Sequence, residues 1–296
     1  MKNENLNENQ SYLKELVANK KGVIFSDLDG VWFDEANNFA PPSQDALETI
    51  QSAQEAGFLI VLNSDTGAQA LYEFGEELGI QKTALIAEGG SYIQMQDGRV
   101  ESLVDERVKD VMKRLRGELV QYLIDQGNDV LVGDATAFIR GGQLPPKSNG
   151  ELFLINARRQ MSVGLYSRVV ENGQLVVDCN QNDRSFQRLS SLVPDIDVVV
   201  RQYPNIGSCL VKPQQQVTKA QAVERFLDLS GYQGPCYMFG DRIMDSMASL
   251  RGRVKTCAMG NADLELKEQA DVIAPRELQV SDAARYILKG IITNSI

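Results

Sequence analysis

Residues 22–31, Gly22-Val23-Ile24-Phe25-Ser26-Asp27-Leu28-Asp29-Gly30-Val31, decide how the chain is read. An apolar run of strand length ends in two carboxylates, two residues apart, and a glycine follows. In an open α/β sheet, ligands bind beyond the carboxyl ends of strands, so Asp27 and Asp29 would share a binding edge. Gly30 would let the backbone turn sharply and aim its N–H groups at an anion. An ordinary strand-ending turn accounts for the same residues, because Asp and Gly favour turns. The flanking sequence has to decide.

Beyond this stretch, Pro42-Ser43 opens an amphipathic segment, 44–56, closed by Gly57. An apolar run at 58–62, a helical stretch at 68–78 and a further run at 84–87 follow. Such alternation predicts βαβ units and a parallel sheet. After Gly89-Gly90 the rhythm changes. Runs at 91–95 and 100–103 flank Asp97-Gly98, a hairpin signal, and a charged helical stretch covers 105–126. Strand-like runs at 152–155, 162–166 and 175–177 surround a Gly/Pro patch at 141–150. The first pattern then returns: Thr218 caps a helix over 219–229, with a strand at 235–239, a helical segment at 244–250, a strand at 254–258 and a helix at 263–269. The fold class expected is α/β. A doubly wound, Rossmann-like parallel sheet core would comprise 21–88 and 213–296, with an inserted α+β cap at 89–212 and a polar N-terminal extension at 1–20.

The 296 residues are 43% hydrophobic and 24% charged, the balance of a globular protein. A net charge of −10 argues against nucleic acid or an anionic membrane as partner. A small anion is still admissible where lysine, backbone N–H groups and a bound cation reverse the local field. The four cysteines form no CxxC pair, so free thiols are expected. No signal-like or membrane-spanning apolar run stands out, and a cytoplasmic protein is expected. The chain has no histidine, which excludes Ser-His-Asp hydrolysis, HExxH zinc chemistry and histidine phosphotransfer. Acid–base work falls to carboxylates, lysine or a metal-bound water.

Three further positions could join the Asp27 edge. Gly240-Asp241-Arg242-Ile243-Met244-Asp245 follows a second apolar strand, and carboxylates from two strand ends can hold a hard cation. Asp241 could instead merely cap a helix. Ser64 sits just past the run 58–63 and could donate to a phosphoryl oxygen, or could serve only as a turn residue. Lys219 opens a helix, where it opposes the helix dipole but attracts an anion.

Taken in order, the stretches FSDLDGV (25–31), LIVLNS (59–64), VTKAQAV (217–223), FGDRIMDSMA (239–248) and AMGNADLELKEQADVI (258–273) resemble the haloacid dehalogenase superfamily. They are most similar to its Cof-type, subclass IIB branch of sucrose-phosphate, mannosyl-phosphoglycerate and phosphoglycolate phosphatases. The resemblance implies a magnesium-dependent phosphatase acting on a small phosphorylated metabolite such as a sugar phosphate. By the same resemblance Asp27 is the nucleophile and Asp29 the general acid and base. Ser64, Lys219 and the backbone of Leu28 and Gly30 would hold the phosphoryl group. Asp27, Asp29 (through its carbonyl), Asp241 and Asp245 would hold the metal, and Asn261 would line the same edge.

The chain departs from its relatives in three places. Ser64 is followed by Asp65-Thr66-Gly67 rather than Gly-Arg, so Thr66 rivals Ser64 as the hydroxyl of the second motif. Glu88-Gly89-Gly90 replaces Glu-Asn-Gly, and Met244 replaces the Asn before the last acidic residue. In the cap, Arg158, Arg159 and Arg201, with Tyr203 and Asn205, are candidates to read the leaving group. A phosphomutase, or a binding protein on the same fold, would show the same motifs.

Overall fold

The computed structural model describes residues 2–34, 39–80, 83–141, 151–171, 174–177, 198–203, 207–213 and 217–296. Asn205, Cys179 and residues 142–150 of the Gly/Pro patch lie outside them. In chain order, α1 (Lys2–Val17), β1 (Gly22–Ser26), α2 (Gln44–Glu55), β2 (Phe58–Leu62), α3 (Ala68–Glu77), β3 (Leu85–Ala87), β4 (Tyr92–Gln94) and β5 (Val100–Ser102) come first. Then follow α4 (Arg107–Asp125), β6 (Asp129–Gly133), α5 (Ala135–Gly141), β7 (Glu151–Asn156), β8 (Val163–Glu171), β9 (Gln174–Val177), β10 (Val198–Tyr203) and β11 (Ser208–Pro213). The chain ends with α6 (Lys219–Ser230), β12 (Cys236–Gly240), β13 (Lys255–Ala258), α7 (Leu264–Gln269), β14 (Val272–Ile273) and α8 (Val280–Ile292).

Contacts divide the chain into two units, residues 1–103 with 217–296, and residues 104–216. In the first, five parallel strands run in the order β14-β13-β12-β1-β2. β1 and β2 are buried throughout, as parallel strands covered on both faces must be. The chain leaves β1 toward β2 and later returns to β12 on the other side, so the topological switch point lies between β1 and β12. That is where such sheets bind ligands.

Helix α2 begins where Ser43 accepts the amide of Ala46, and α6 where Thr218 and Gln221 form a reciprocal capping box. Ala222, Val223, Phe226 and Leu227 of α6 are fully buried against the sheet. Each large side chain so buried contributes about 1.5–3 kcal/mol, which fixes the helix that starts with Lys219.

Three sequence expectations are corrected. The polar extension, 1–20, is largely helix α1. Leu13 and Val17 join the core around Phe226, with Leu6 and Leu16 packed beside them. The hairpin placed in the cap, β4 and β5, pairs with β3 and belongs to the first unit. Segment 244–250 is not one helix but two single 3-10 turns, Ile243–Asp245 and Ala248–Leu250.

The second unit is a sheet in the order β10-β11-β8-β7-β6, with β9 paired to β8. β6 and β7 are parallel and the other pairs antiparallel. Met112, Leu115, Leu119 and Leu123 form a stripe on α4 that packs on Phe153, Ile155, Val163 and Leu165.

Candidate active site

β1 delivers Asp27 and β12 delivers Asp241 to the same edge, because the two strands are parallel neighbours with Ser26 paired to Phe239. The Asp27 amide donates to the Phe239 carbonyl at 2.9 Å, which stitches the two strand ends together. Asp27, Asp241 and Asp245 each offer a carboxylate oxygen within 4.8 Å of the others, and all three are buried. Lys219 Nζ donates to Asp27 Oδ2 and to Asp245 Oδ1, each at 2.6 Å, with its side chain 2% exposed.

Three buried carboxylates facing one ammonium form an unbalanced cluster. Burial disfavours the Lys219 ammonium, but Asp245, Asp27 and Asp65 outweigh it and raise the pKa above that of an ordinary lysine. Burial pushes the Asp245 carboxyl up to about 7, although Lys219 pulls the other way. Burial, then the charges of Asp27 and Asp245, raise the Asp241 carboxyl well above the usual range. Asp241 Oδ1 is buried and accepts no hydrogen bond. All the donors here are hard carboxylate oxygens and one has a vacant lone pair, so the set fits a divalent cation such as magnesium.

The backbone supports this cluster. Asp245 Oδ2 accepts the amides of Asp241 and Arg242, both at 3.1 Å, which folds Gly240–Asp245 into a tight turn. Arg242 Nε lies 3.2 Å from Asp241 Oδ2. Leu28 donates its amide to Asp27 Oδ1 at 2.8 Å. Gly30 adopts φ 73°, a left-handed conformation suited to glycine, beside the Asp241 carboxylate.

The second-motif loop is tied to the segment after β3: Ser64 donates its amide to the Ile86 carbonyl at 3.1 Å, and Glu88 and Gly89 donate theirs to Thr66 at 3.1 Å and Ser64 at 3.0 Å. The Thr66 hydroxyl donates to Asp29 Oδ2 at 3.3 Å, and Ser64 Oγ lies 3.4 Å from Thr66 Oγ1. Both hydroxyls therefore stand at the Asp27 edge. Glu88 is 1% exposed and accepts from the Tyr92 hydroxyl at 3.3 Å. Asn261 is exposed and donates its side-chain amide to the Gly30 carbonyl at 3.1 Å, so it braces the loop that follows β1.

The cap candidates lie in the second unit. Arg158 pairs with Asp134 at 2.7 Å, and Arg159, 7% exposed, donates to Ser162 Oγ at 3.1 Å. Both hold that unit together. Arg201 is half-buried on β10, paired in register with Leu210.

Sequence reasoning missed a support beneath Asp27. The Trp32 indole N–H donates to Ser26 Oγ, and that hydroxyl donates to the Asp27 carbonyl, both at 2.8 Å. The Trp32 ring stacks on Phe239 with centroids 6.4 Å apart. Its one legible signal was that the single tryptophan follows Asp27 by five residues.

An open parallel sheet with buried carboxylates and a lysine at its switch point defines an α/β protein, and it puts that cluster where sheets of this class bind ligands. A family model described as haloacid dehalogenase-like hydrolase matches residues 24–281. The chain belongs to the haloacid dehalogenase-like hydrolases. A comparison with curated protein sequences finds no match.

Among solved structures, the fold is similar to a haloacid dehalogenase-like hydrolase from Bacteroides thetaiotaomicron, at 18% identity and TM-score 0.60, covering 92% of this chain and 100% of that one. A trehalose-6-phosphate phosphatase related protein matches at 16% identity and TM-score 0.58, covering 92% and 98%. A subclass IIB sugar phosphatase of the same superfamily matches at 14% identity and TM-score 0.54, covering 91% and 98%. At these identities the likeness is one of fold. Among the described residues no helix is long and apolar enough to cross a membrane.

Proposed function

We propose that this chain is a magnesium-dependent phosphatase that hydrolyses a small phosphomonoester, of the sugar phosphate class, through an aspartyl-phosphate on Asp27. The observation that carries this reading is the Lys219 ammonium bridging Asp27 and Asp245 at 2.6 Å each, beside the unpartnered Oδ1 of Asp241. A carboxylate attacks phosphorus only when its charge and that of the phosphate are offset, and this cluster brings both a fixed cation and a set of oxygen ligands to one strand edge. The structural neighbours described as sugar and trehalose-6-phosphate phosphatases agree with it.

Asp27, Asp241 and Asp245, with the Asp29 carbonyl, would hold magnesium, which supplies charge neutralisation when bound. In the first step an Asp27 oxygen bonds to phosphorus as the ester P–O bond breaks, and Asp29 gives its proton to the departing oxygen. In the second, Asp29 takes a proton from water as the water oxygen attacks phosphorus and the Asp27–phosphorus bond breaks. Lys219 and Ser64 hold the phosphoryl oxygens throughout; the Gly30 amide, expected from the sequence to do so, donates instead to the Phe33 carbonyl at 2.9 Å, and that of Leu28 to Asp27 Oδ1. Residues 104–216 would read the leaving group, with Arg201 as one of its contacts.

The test is phosphate release from a panel of phosphorylated metabolites with and without magnesium. Release that needs magnesium and stops in Asp27→Asn supports the reading; retained turnover in that variant overturns the nucleophile.

A further inference from the structure

We propose that Thr66 is a positioning residue for Asp29, an inference that rests on the phosphatase reading above. After Ser64 the chain continues Asp65-Thr66-Gly67. The Thr66 hydroxyl lies 3.3 Å from Asp29 Oδ2 and 3.4 Å from Ser64 Oγ, joining the proposed acid to the proposed phosphoryl contact.

Two other bonds fix the residue that offers this hydroxyl. Its amide donates to Ser64 Oγ at 3.3 Å. Its carbonyl accepts the Glu88 amide at 3.1 Å, and Glu88 is itself buried at φ 50°, a conformation that non-glycine residues adopt only where surroundings enforce it. Strand β2 places the loop, and the Asn63–Ile86 bridge clamps it to the segment leading to Glu88. Thr66 therefore has little freedom, and its hydroxyl points at a carboxylate on the next strand end.

The Thr66 hydroxyl donates to Asp29 Oδ2, and it can do so whether the carboxyl is ionised or carries its one proton on Oδ1, so that proton stays free for the ester oxygen. Thr66 thus holds Asp29 in one orientation in either proton state, aimed at the ester oxygen in the first step and at water in the second. It touches no reacting atom itself.

Orientation of a general acid matters in proportion to how much the leaving group needs the proton. An alkyl phosphate must lose an alkoxide and depends on the acid; a nitrophenyl phosphate loses a stable phenolate and does not. The experiment compares kcat/KM, which reports formation of the phosphoenzyme, for the alkyl monoester cleaved fastest by wild type and for 4-nitrophenyl phosphate. Thr66→Val removes the hydroxyl and keeps the shape; Thr66→Ser keeps the hydroxyl.

The valine variant is expected to lose about tenfold or more on the alkyl ester, a fraction of the ~10²–10⁴ a general acid supplies. On the aryl ester it is expected to lose less than about threefold, and serine should restore the alkyl rate. Equal losses on both esters, no loss, or failure of serine to rescue would overturn the assignment. Asp29→Asn run alongside separates the two ideas: it should show the same alkyl bias in stronger form. If it shows none, or if wild type releases no phosphate, the phosphatase reading fails and the Thr66 role falls with it.

Discussion

Gly30, at φ 73°, lies so close to the Asp241 carboxylate that a β-carbon there would overlap Oδ2. Two loops from two strands thus meet at a point where only a hydrogen fits. Gly30→Ala should therefore push Asp241 out of the carboxylate cluster and strain the turn after Asp29 by roughly 1–3 kcal/mol. Magnesium-dependent turnover is expected to fall at least about tenfold, and the magnesium concentration for half activity to rise. Unchanged magnesium dependence in a folded variant would count against the convergence of the two loops.

Removing Lys219 leaves buried Asp27 and Asp245 without the cation that pairs them, with Arg242 reaching only Asp241. In Lys219→Met, loss of one partner from a buried ion cluster is expected to cost about 3–5 kcal/mol, and activity should drop by about 10²-fold or more. Thermal melts in chelator and in excess magnesium measure the first effect. Magnesium should recover more of the melting temperature in this variant than in wild type, since it then supplies the missing positive charge.

The bound cation itself is tested through Asp241. A ligand that binds only the folded state at a hundred times its Kd adds about 2.7 kcal/mol, so magnesium should raise the melting temperature of wild type. Asp241→Asn should abolish most of that rise while melting no lower than wild type in chelator, because it also removes a buried carboxylate that crowds Asp27 and Asp245. A full magnesium response in this variant would remove Asp241 from the ligand set.

How much of this was readable from residues alone follows the range of the forces involved. Strands β1, β2 and β12 stood out because buried parallel strands are continuous apolar runs, and Asp27 and Asp241 stood out because each ends one. The turn at Gly240–Asp245 did not, since it depends on Asp245 Oδ2 accepting two amides from its own loop. That bond replaces the helix expected at 244–250. Nor could sequence tell that Arg158 is paired with Asp134, a partner 24 positions away. The Thr66–Asp29 bond was invisible for the same reason, as it joins two strand ends.

Helix α1 is the clearest failure of composition as a guide. Its first turns are Asn- and Glu-rich and look like a solvated tail, yet Leu6, Leu13, Leu16 and Val17 recur at helical spacing on one face. Asn9, 2% exposed on the same helix, donates to Glu101, which also receives the Arg225 guanidinium from α6. The helix is therefore built into the core around Phe226 and latched by a polar network to the helix that carries Lys219. Leu13, with no exposed surface, should behave as a core residue: Leu13→Ala is expected to cost about 2–5 kcal/mol in denaturant unfolding. Glu15→Ala, a truncation on the exposed side of the same helix, should stay within about 0.5 kcal/mol of wild type. A Leu13→Ala cost as small as that of Glu15→Ala would mean that α1 is an appendage rather than a part of the first unit's core.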